Sequence, residues 1–564
     1  MRRFIMKKYK KQIIDYMIPI FIGGIVVTLL VLPQLVNHIG FTGDDTVFHF
    51  SRFYDTAEQI KNHNFSYFQM NYGMGQTGRI INAIYGPFFS YLMGILVLLA
   101  GSWFRFQIIL TYLLFIIGAI GFFKLSRKVN VSRIVSSIVT ILFLTTGYVF
   151  YWIYSNNGNC LGAFIMPYVI IQGIDFINAD EKGLSWIKLG VTIAVLAQIH
   201  LLSTFLAILV LLPFFIYSLV YSKNKKKIWV NVGKAIALFT ILTANIWGAF
   251  IYLYSTNLLS APLNFPVDDS ALNLFIAGNT TMWKTITDVT LIIICLQLIY
   301  VILNYKNEKI NTFVTIEGIA FLFISSNLFP WKYITHIFPI VSSYFQFPNR
   351  FTAVAYPLLY LGIGLTITEL VKNDGIKLGI IASSLVLLVA LCNLRSDSIE
   401  VNNKVTFERS NPQRIEQMRD KNFKVYFEEN EPINPDYLPI QRKISSWKIE
   451  KIVFKKLAYN YSFNKTVISD GRLQLKWQEK NNGKQRQLPI TMYHQSQLIL
   501  NGKKVDPTLN VIGMPKVTSK RGENTAILSF KISPIFNALL YISLVGWIGL
   551  MFYGLVQLIK HLRN

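Results

Sequence analysis

The sequence predicts an α-helical, polytopic membrane protein with about twelve spans and a β-sandwich domain before the last span. Three observations predict this class. Hydrophobic residues make up 52% of the 564 residues, charged residues only 15%, and the mean hydropathy is +0.41. Apolar runs of about 20 residues recur, each long enough to cross roughly 30 Å of hydrocarbon. Lysine and arginine concentrate in alternate loops between these runs, which is the charge pattern of a multi-pass protein.

Thirteen apolar runs are candidates for the spans. If all of them cross, the basic loops Lys124–Arg133 and Lys223–Lys227 both lie outside, contrary to the positive-inside rule. If the run 86–101, which opens with Gly86-Pro87, is a juxtamembrane or re-entrant helix, both loops become cytoplasmic. We therefore predict twelve spans in the cell membrane, with both termini cytoplasmic. The runs are at about 15–36, 86–101, 104–123, 133–153, 160–177, 186–199, 201–221, 230–254, 285–304, 312–329, 350–371, 376–394 and 533–558.

The ends of the chain and its overall charge fit this topology. Met1–Ile39 has the basic start and apolar run of a signal peptide, but no small-residue cleavage site follows, so we expect an uncleaved first span. The net charge of +26 lies mainly in the predicted cytoplasmic loops, so it indicates topology and membrane lipids rather than nucleic acid as a partner. Cys160, Cys295 and Cys392 form no CxxC pair, which argues against a disulfide framework or thiolate metal site.

Three regions follow from this pattern. Residues 1–394 form the transmembrane domain, in which the first outer loop, 37–103, carries juxtamembrane helices. Residues 395–532 form an extracytoplasmic β-sandwich, because polar and apolar residues alternate there between turn signals, as in Gln497–Leu500 before Asn501-Gly502. Residues 533–564 form the last transmembrane helix and a short cytoplasmic tail.

The first outer loop contains a candidate site in the stretch that begins Gly43-Asp44-Asp45. On a helix, Asp45, His49 and Arg52 share one face, and the amphipathic run that follows is predicted to lie on the membrane surface. Asp44 or Asp45 can simply cap this helix. Alternatively, a carboxylate at the membrane surface acts as a general base or binds a divalent cation such as Mg or Mn, with His49 and Arg52 placed to meet a phosphate.

Four further residues of the predicted outer face are candidates for substrate binding: Arg79, His200, Gln346 and Arg350. His200 separates two apolar runs, where a lone histidine has either a structural or a functional role. Arg350 follows Pro348 and thus lies in the first turn of a span, where a cation is unfavourable to the helix dipole. Either its side chain snorkels to the interface, or it binds an anion such as a lipid phosphate.

The order of these motifs resembles the glycosyltransferase-C superfamily of multispan enzymes. The similar features are Asp45-x-x-x-His49-x-x-Arg52, the stretch Asn82–Pro87 that opens a short apolar helix, and the basic turn Lys124–Arg133. The element Gln346-Phe-Pro-x-Arg350 looks like the bacterial membrane proteins called 6-pyruvoyl-tetrahydropterin-synthase-related, close to the YfhO-like lipoteichoic acid glycosylation proteins. Pro435–Pro439 and Leu488–Tyr493 look like the outer β-domain of that branch.

The resemblance implies transfer of a sugar from a polyprenyl-phosphate donor to a cell-envelope acceptor on the outer membrane face. It places the catalytic role on Asp45, with Asp44 beside it, and puts Arg52 and Arg350 at the donor phosphate. Many members of the superfamily have a second acid in the next outer loop, but the loop Tyr154–Asn159 contains none. Metal dependence and catalytic competence are therefore open at this stage.

Two other classes of function remain as alternatives. A flippase or transporter of a lipid-linked sugar would carry ionisable groups near the bilayer midplane. The in-membrane acids Asp175, Asp288, Glu317 and Glu369 instead lie near the ends of their runs, which disfavours transport. A non-catalytic scaffold for envelope assembly is the third class, and the missing second acid favours it.

Overall fold

The computed structural model describes residues 2–43, 45–274, 286–373, 376–410, 434–457 and 462–563. Most of these residues are helical, and a small β domain lies near the C-terminal end. The helices of the first part are α1 (Arg2–Asn37), α2 (Thr46–Lys61), α3 (Ile81–Ile84), α4 (Pro87–Ala100), α5 (Trp103–Lys128), α6 (Arg133–Leu144), α7 (Gly147–Ser155), α8 (Gly158–Ile177), α9 (Ala179–Lys182), α10 (Trp186–Ile199), α11 (Leu201–Tyr221), α12 (Lys225–Leu242) and α13 (Ala244–Tyr254).

The remaining elements include the two helices that flank the β domain. The helices are α14 (Asp288–Asn304), α15 (Lys309–Ser325), α16 (Trp331–Ile337), α17 (Ile340–Tyr344), α18 (Thr352–Asn373), α19 (Ile376–Arg409), α20 (Ser446–Lys456) and α21 (Pro534–Arg563). The strands are β1 (Asn464–Val467), β2 (Leu473–Glu479), β3 (Lys484–Gln487), β4 (Ser496–Leu500), β5 (Lys503–Val505), β6 (Thr508–Leu509), β7 (Pro515–Ser519) and β8 (Gly522–Phe530).

Each of the thirteen apolar runs overlaps a single helix or a bent pair of helices. Seven helices of the described residues are long and apolar enough to cross a membrane, or nine if each bent pair forms one span. The bent pairs are α6 with α7, at 43°, and α12 with α13, at 65°. Helices α4, α10 and α14 are apolar but shorter. The protein therefore fits a multi-pass membrane protein, and the count of twelve spans stays a prediction.

The apolar core of the helical region is built around α5 and α18. Helix α5 packs against α1, α6 and α8, and α18 packs against α6, α8, α14, α15 and α19. Most of the span that contains α18 is buried in the protein, whereas α21 is almost entirely exposed apart from one face. Side chains of α21 such as Leu558 therefore present apolar surface, as expected of a helix in lipid.

Helix α21 docks at the break between α12 and α13, where a helix end leaves carbonyls without partners. The Ser543 hydroxyl donates to the carbonyl of Leu242 at 2.8 Å, and the Trp547 indole N–H donates to the same carbonyl at 2.9 Å. The last helix of the chain thus satisfies a carbonyl at a break in the middle of the helical region.

The β domain consists of two sheets around one core. Their strand orders are β1-β2-β8-β4-β5 and β3-β7-β6, with antiparallel pairing throughout. Strands β4 and β5 are joined by the predicted Asn501-Gly502 turn, in which both residues have positive φ, as the type I′ turn of a tight hairpin requires. Leu475 of β2 and Val517 of β7 belong to the shared core, so the two sheets pack face to face.

The region expected to be extracytoplasmic begins differently from the sequence prediction. Helix α19 continues without interruption to Arg409, past residue 395, where we expected the outer domain to begin. The helix continues because its last turns still pack on α1: Arg409 donates to the side chain of Asn37 at 3.0 Å. The first strand starts only at Asn464, and helix α20 precedes it.

The β domain rests on the first outer loop. The Thr491 amide donates to the carbonyl of Thr77 at 2.9 Å, and the Asn71 side chain donates to the carbonyl of Gly471 at 2.7 Å. The rings of Phe68 and Phe530 stack with centroids 4.8 Å apart. The loop that follows α2 is consequently held between the helices and the sheets.

A labelling experiment tests the predicted topology. Lys225 starts the bent pair α12–α13, whereas residues after the end of that pair touch the β domain: the Asn257 side chain donates to Gln495 at 3.0 Å. We expect Lys504→Cys to react with an impermeant maleimide in intact cells, and Lys225→Cys to react only after permeabilisation. The parent protein has its three native cysteines replaced by alanine. Labelling of position 225 in intact cells would contradict the predicted orientation.

Candidate functional site

Asp45 lies where the first outer loop meets α7. It occupies the N-cap position of α2, but its side chain makes no capping hydrogen bond. Its amide donates to the carbonyl of Ser155 at 3.3 Å. A Cβ atom on Gly43 would fall 1.8 Å from the carbonyl oxygen of Tyr154, so only glycine permits this close approach. The backbone of Asp45 is therefore held against the end of α7. Asp44 lies outside the described residues.

The N-terminus of α2 is fixed by amides from two other helices. The Thr46 hydroxyl donates to the Asn156 side-chain oxygen at 2.9 Å, and the Gln107 amide donates to the same oxygen at 2.9 Å. Asn156 belongs to the outer loop in which the sequence shows no acid. In this protein that loop therefore supplies a neutral residue that holds the Asp45 end of α2.

Helix α2, which the sequence predicted to lie on the membrane surface, is mostly buried within the protein. Twelve of its sixteen residues are buried, including Arg52 and Asp55. The helix can be buried because its polar side chains find partners inside the protein. Asp55 accepts hydrogen bonds from the amides of Tyr72 at 2.9 Å and Gly73 at 3.1 Å, and from the Gln59 side chain at 2.7 Å. Burial nevertheless raises the pKa of Asp55 to about 6.

Arg52 joins α2 to the segment that leads into α4. Its guanidinium donates to the Asn82 side chain at 3.0 Å, to the Ser90 hydroxyl at 2.7 Å and to the Tyr85 carbonyl. It also lies 4.7 Å from the centroid of the Tyr85 ring. These acceptors are neutral, so the charge is not cancelled, and although burial lowers the pKa of Arg52 to about 10, the side chain stays cationic at neutral pH. Arg52, which the resemblance placed at the donor phosphate, thus makes its hydrogen bonds within the protein.

His49 is the fourth partner of Arg52. Its Nδ1 atom lies 3.0 Å from Nη1 of Arg52. A guanidinium can only donate, so Nδ1 accepts and the proton of the neutral ring is on Nε2. Burial, followed by the charges of Arg52 and His200, lowers the pKa of His49 well below its usual range. His49 is therefore neutral, and cannot meet a phosphate as a cation.

His200 reaches the same place from the junction of α10 and α11. It caps α11, because its Nδ1 accepts from the Ser203 amide at 3.3 Å, and its ring lies 5.7 Å from that of Tyr85. Gly86, at φ +65°, brings Tyr85 there: a Cβ atom would fall 2.0 Å from the Gln198 carbonyl. Burial and the charge of Arg350 lower the pKa of His200 to about 3, so this ring is also a neutral Nε2–H donor.

Arg350 approaches from the start of the span that contains α18. It is only 8% exposed, and it donates to the Phe345 carbonyl at 2.6 Å and to the Gln346 side chain at 3.3 Å. No described residue accepts a hydrogen bond from its Nε. Gln346 in turn donates to the Leu263 carbonyl at 2.7 Å, so its amide positions Arg350 and is not a free substrate contact. A side chain this buried does not snorkel.

Arg79 leads to a residue that the sequence analysis missed. It is fully buried and donates to the backbone carbonyl of Asp436 at 2.5 Å. The Asp436 carboxylate acts electrostatically on Tyr85 and Tyr437, and burial raises its pKa to about 6 although Arg79 lowers it. Within the sequence, only the Pro435–Pro439 motif pointed to this segment, and nothing in its spacing related it to Arg79.

The predicted residues converge at one place. The charge of Asp45 acts on Tyr85, Tyr148 and Arg350. The charges of Arg350 and Arg52 both act on His200. The set thus combines one carboxylate, one buried cation with an unused Nε, two neutral imidazoles and tyrosines. Such a set can accept a proton, stabilise an anion and donate hydrogen bonds to hydroxyl groups. Arg79 and Gln346 position neighbouring residues: Arg79 donates to the Asp436 carbonyl, and Gln346 accepts from Arg350.

The described residues do not by themselves define a divalent-cation site, and such a site stays a prediction. No group of three or more histidine, cysteine, aspartate or glutamate side chains in that part of the chain lies close enough to hold a metal ion. A cation at Asp45 would depend on Asp44, which is not described. The reaction proposed for this site therefore uses only the protein's own side chains.

Comparisons with known proteins add little to this geometry. No protein-family profile matches the sequence, and no curated protein is significantly similar to it. Among solved structures, the apo form of the Archaeoglobus fulgidus oligosaccharyltransferase is similar at a TM-score of 0.39 and 13% identity. The similarity covers 77% of this chain, which spans only 63% of that protein. At this level it carries no argument about activity.

The raised pKa of Asp55 predicts how stability depends on pH. An acid with a raised pKa in the folded state favours folding when protonated, so that stability is lost as the pH rises from about 4 to about 6. We expect the free energy of unfolding to fall by up to about 3 kcal/mol over this window. Asp55→Asn should remove this part of the slope and unfold at a higher temperature than the wild type at pH 7.5.

Tryptophan fluorescence during thermal unfolding of the detergent-solubilised protein measures the pH dependence of stability and the unfolding temperature. Glu58→Gln removes an acid at the more exposed end of the same helix and should leave the slope unchanged. If Asp55→Asn is less stable than the wild type at every pH, the charge itself holds the amides of Tyr72 and Gly73, contrary to the prediction.

Proposed function

We propose that this protein is a membrane glycosyltransferase of the glycosyltransferase-C type. It transfers a sugar from a polyprenyl-phosphate donor to a cell-envelope polymer, lipid or protein on the outer face of the membrane. One observation carries the proposal: Asp45 and Arg350, from opposite ends of the helical region, lie within electrostatic range of each other, beside the neutral His49 and His200. A donor with an isoprenoid tail stays in the bilayer, so its reaction requires a site of this kind at the end of the spans.

The chemistry assigns a role to each charged group. The Asp45 carboxylate accepts the proton of the acceptor hydroxyl while that oxygen forms a bond to the anomeric carbon of the sugar. The bond between the anomeric carbon and the phosphate oxygen breaks, and the polyprenyl phosphate leaves with its electron pair. Arg350, with an unused Nε, stabilises the negative charge of the leaving phosphate.

The neutral groups supply recognition. Nε2 of His49 and Nε2 of His200 carry their protons, because Nδ1 of each ring is an acceptor. These N–H groups and the tyrosines can bind sugar hydroxyls without adding charge. The site also has a candidate second carboxylate, because Asp436 acts electrostatically on Tyr85. This acid comes from a segment beside the β domain instead of from the loop after α7.

The central prediction concerns Asp45. Asp45→Asn should insert and accumulate normally, because the native side chain does not cap α2. The amide cannot accept a proton at neutral pH, so the rate should fall about 10²–10⁴-fold. The measurement is transfer of labelled sugar from a polyprenyl-phosphate donor, or restoration of the modified envelope polymer in a deletion strain.

Two variants serve as controls for Asp45→Asn. Glu58→Gln removes a carboxylate of the same helix, away from the site, and should retain activity. Asp44→Asn should cost less than Asp45→Asn. If both aspartate variants fail and activity responds to added Mg or Mn, the two residues share a metal ion. Full activity of Asp45→Asn at normal abundance would contradict the assigned base.

A second prediction tests the phosphate contact. Arg350→Lys keeps the charge but loses the planar guanidinium, and with it the Nε that no described residue uses. We expect a loss of about 1.5–3 kcal/mol, which corresponds to about a ten- to a hundredfold lower kcat/KM for the donor. The matched control is Arg105→Lys, which changes an exposed arginine at the start of α5. This variant should behave as the wild type. Unchanged donor use by Arg350→Lys would show that Arg350 is structural.

A further inference from the structure

A small cavity lies at the break between α6 and α7, away from the candidate site. Its volume is about 70 Å³, enough for an ion with a few waters. Gly147 and Phe150 of α7 line it, whereas Tyr148, next along the helix, donates to the Asn349 side chain at 2.8 Å beside Arg350. Helix α7 thus separates the cavity from the side on which Arg350 lies.

The cavity has several polar side chains in its lining although it lies among apolar helices. Ser398, next to the lining residue Asp397, donates to the carbonyl of Leu29 at 3.3 Å, within the apolar run of α1. Ionisable groups buried among apolar helices are costly and usually functional. The polar side chains of the lining are Asp397, Asn393, Ser396, Thr145, Thr146, Thr287 and Thr290.

Three of the four threonine hydroxyls in the lining donate their hydrogens to groups other than Asp397. Thr145 donates its hydroxyl hydrogen to the carbonyl of Ile141 at 3.0 Å, and Thr146 donates to the carbonyl of Leu142 at 2.6 Å. Thr287 and Thr290 share one hydrogen bond at 2.7 Å. Thr145 and Thr146, at the helix break, therefore have lone pairs available to the cavity, and one hydroxyl of the Thr287–Thr290 pair is committed in the same way.

One carboxylate oxygen of Asp397 lacks a hydrogen-bond partner among the described residues. The residue is only 3% exposed, and within the described part of the chain its Oδ2 has no hydrogen-bond partner. An isolated buried carboxylate is expensive unless a cation or a proton accompanies it. A wall of one carboxylate and several hydroxyl oxygens is a donor set for a hard cation. Broken helices place sodium sites in this way in membrane transporters.

We propose that the cavity binds a monovalent metal cation, sodium or potassium, on Asp397 and the hydroxyl oxygens around it. A monovalent ion suits a cavity lined by one carboxylate, because it cancels the charge without leaving an excess. The bound ion fixes the N-terminal end of α7. The other end of α7 carries the Ser155 carbonyl, which holds the Asp45 amide at 3.3 Å, so the ion supports the geometry of the candidate site.

Thermal unfolding of the purified full-length protein tests the proposal without any assay of sugar transfer. The midpoint is measured in sodium, potassium and choline chloride at constant ionic strength. We expect a saturable rise of a few degrees with sodium or potassium over choline, because a ligand of the folded state stabilises it. Asp397→Asn should lose this dependence. Equal midpoints in the three salts would overturn the proposal and indicate a protonated Asp397.

Two further variants secure the interpretation. Ser396→Ala removes one lining oxygen and should raise the half-saturating cation concentration roughly tenfold, which decides the case if Asp397→Asn does not fold. Glu400→Gln removes a carboxylate one turn away that does not line the cavity but acts electrostatically on Asp397, so it should keep a saturable response with a shifted half-saturating concentration. A response that survives in Asp397→Asn, an unshifted response in Ser396→Ala, or a response that only Glu400→Gln abolishes would overturn the assignment.

Discussion

The buried guanidinium of Arg52 is the interaction on which the outer end of this protein depends. It connects α2 to Asn82, Tyr85 and Ser90, and all of its acceptors are neutral. A buried charge without a counter-ion is tolerated only when hydrogen bonds surround it. The persistent charge of Arg52 adds to the effect of burial and helps to keep His49 neutral. Arg52 thereby influences both the position and the protonation of its neighbours.

Close backbone contacts then fix the candidate site around this centre. Gly43 allows the Asp45 amide to reach α7, and Gly86 allows Tyr85 to reach His200. Neither contact has room for a Cβ atom, so the geometry is set by packing and not by flexible side chains. A pre-organised arrangement of this kind is what electrostatic stabilisation of a leaving phosphate requires.

The three buried or half-buried acids of this region have different environments and different uses. Asp55 accepts three hydrogen bonds and organises the loop after α2. Asp45 does not cap α2 and acts electrostatically on Arg350, and the proposed reaction uses it for proton transfer. Asp436 is brought to Tyr85 by Arg79. Sequence spacing alone does not distinguish these roles, since each acid is simply a polar residue of an outer segment.

The sequence by itself determined the helices and the Asn501-Gly502 hairpin, because apolar length and turn chemistry act locally along the chain. It also pointed to Asp45, His200 and Arg350 as residues of one region. Only the tertiary structure decided that α2 is buried, that Arg52 is used internally, and that Asp436 joins the site. Those outcomes depend on which distant segments satisfy a buried polar group, and no local pattern encodes that choice.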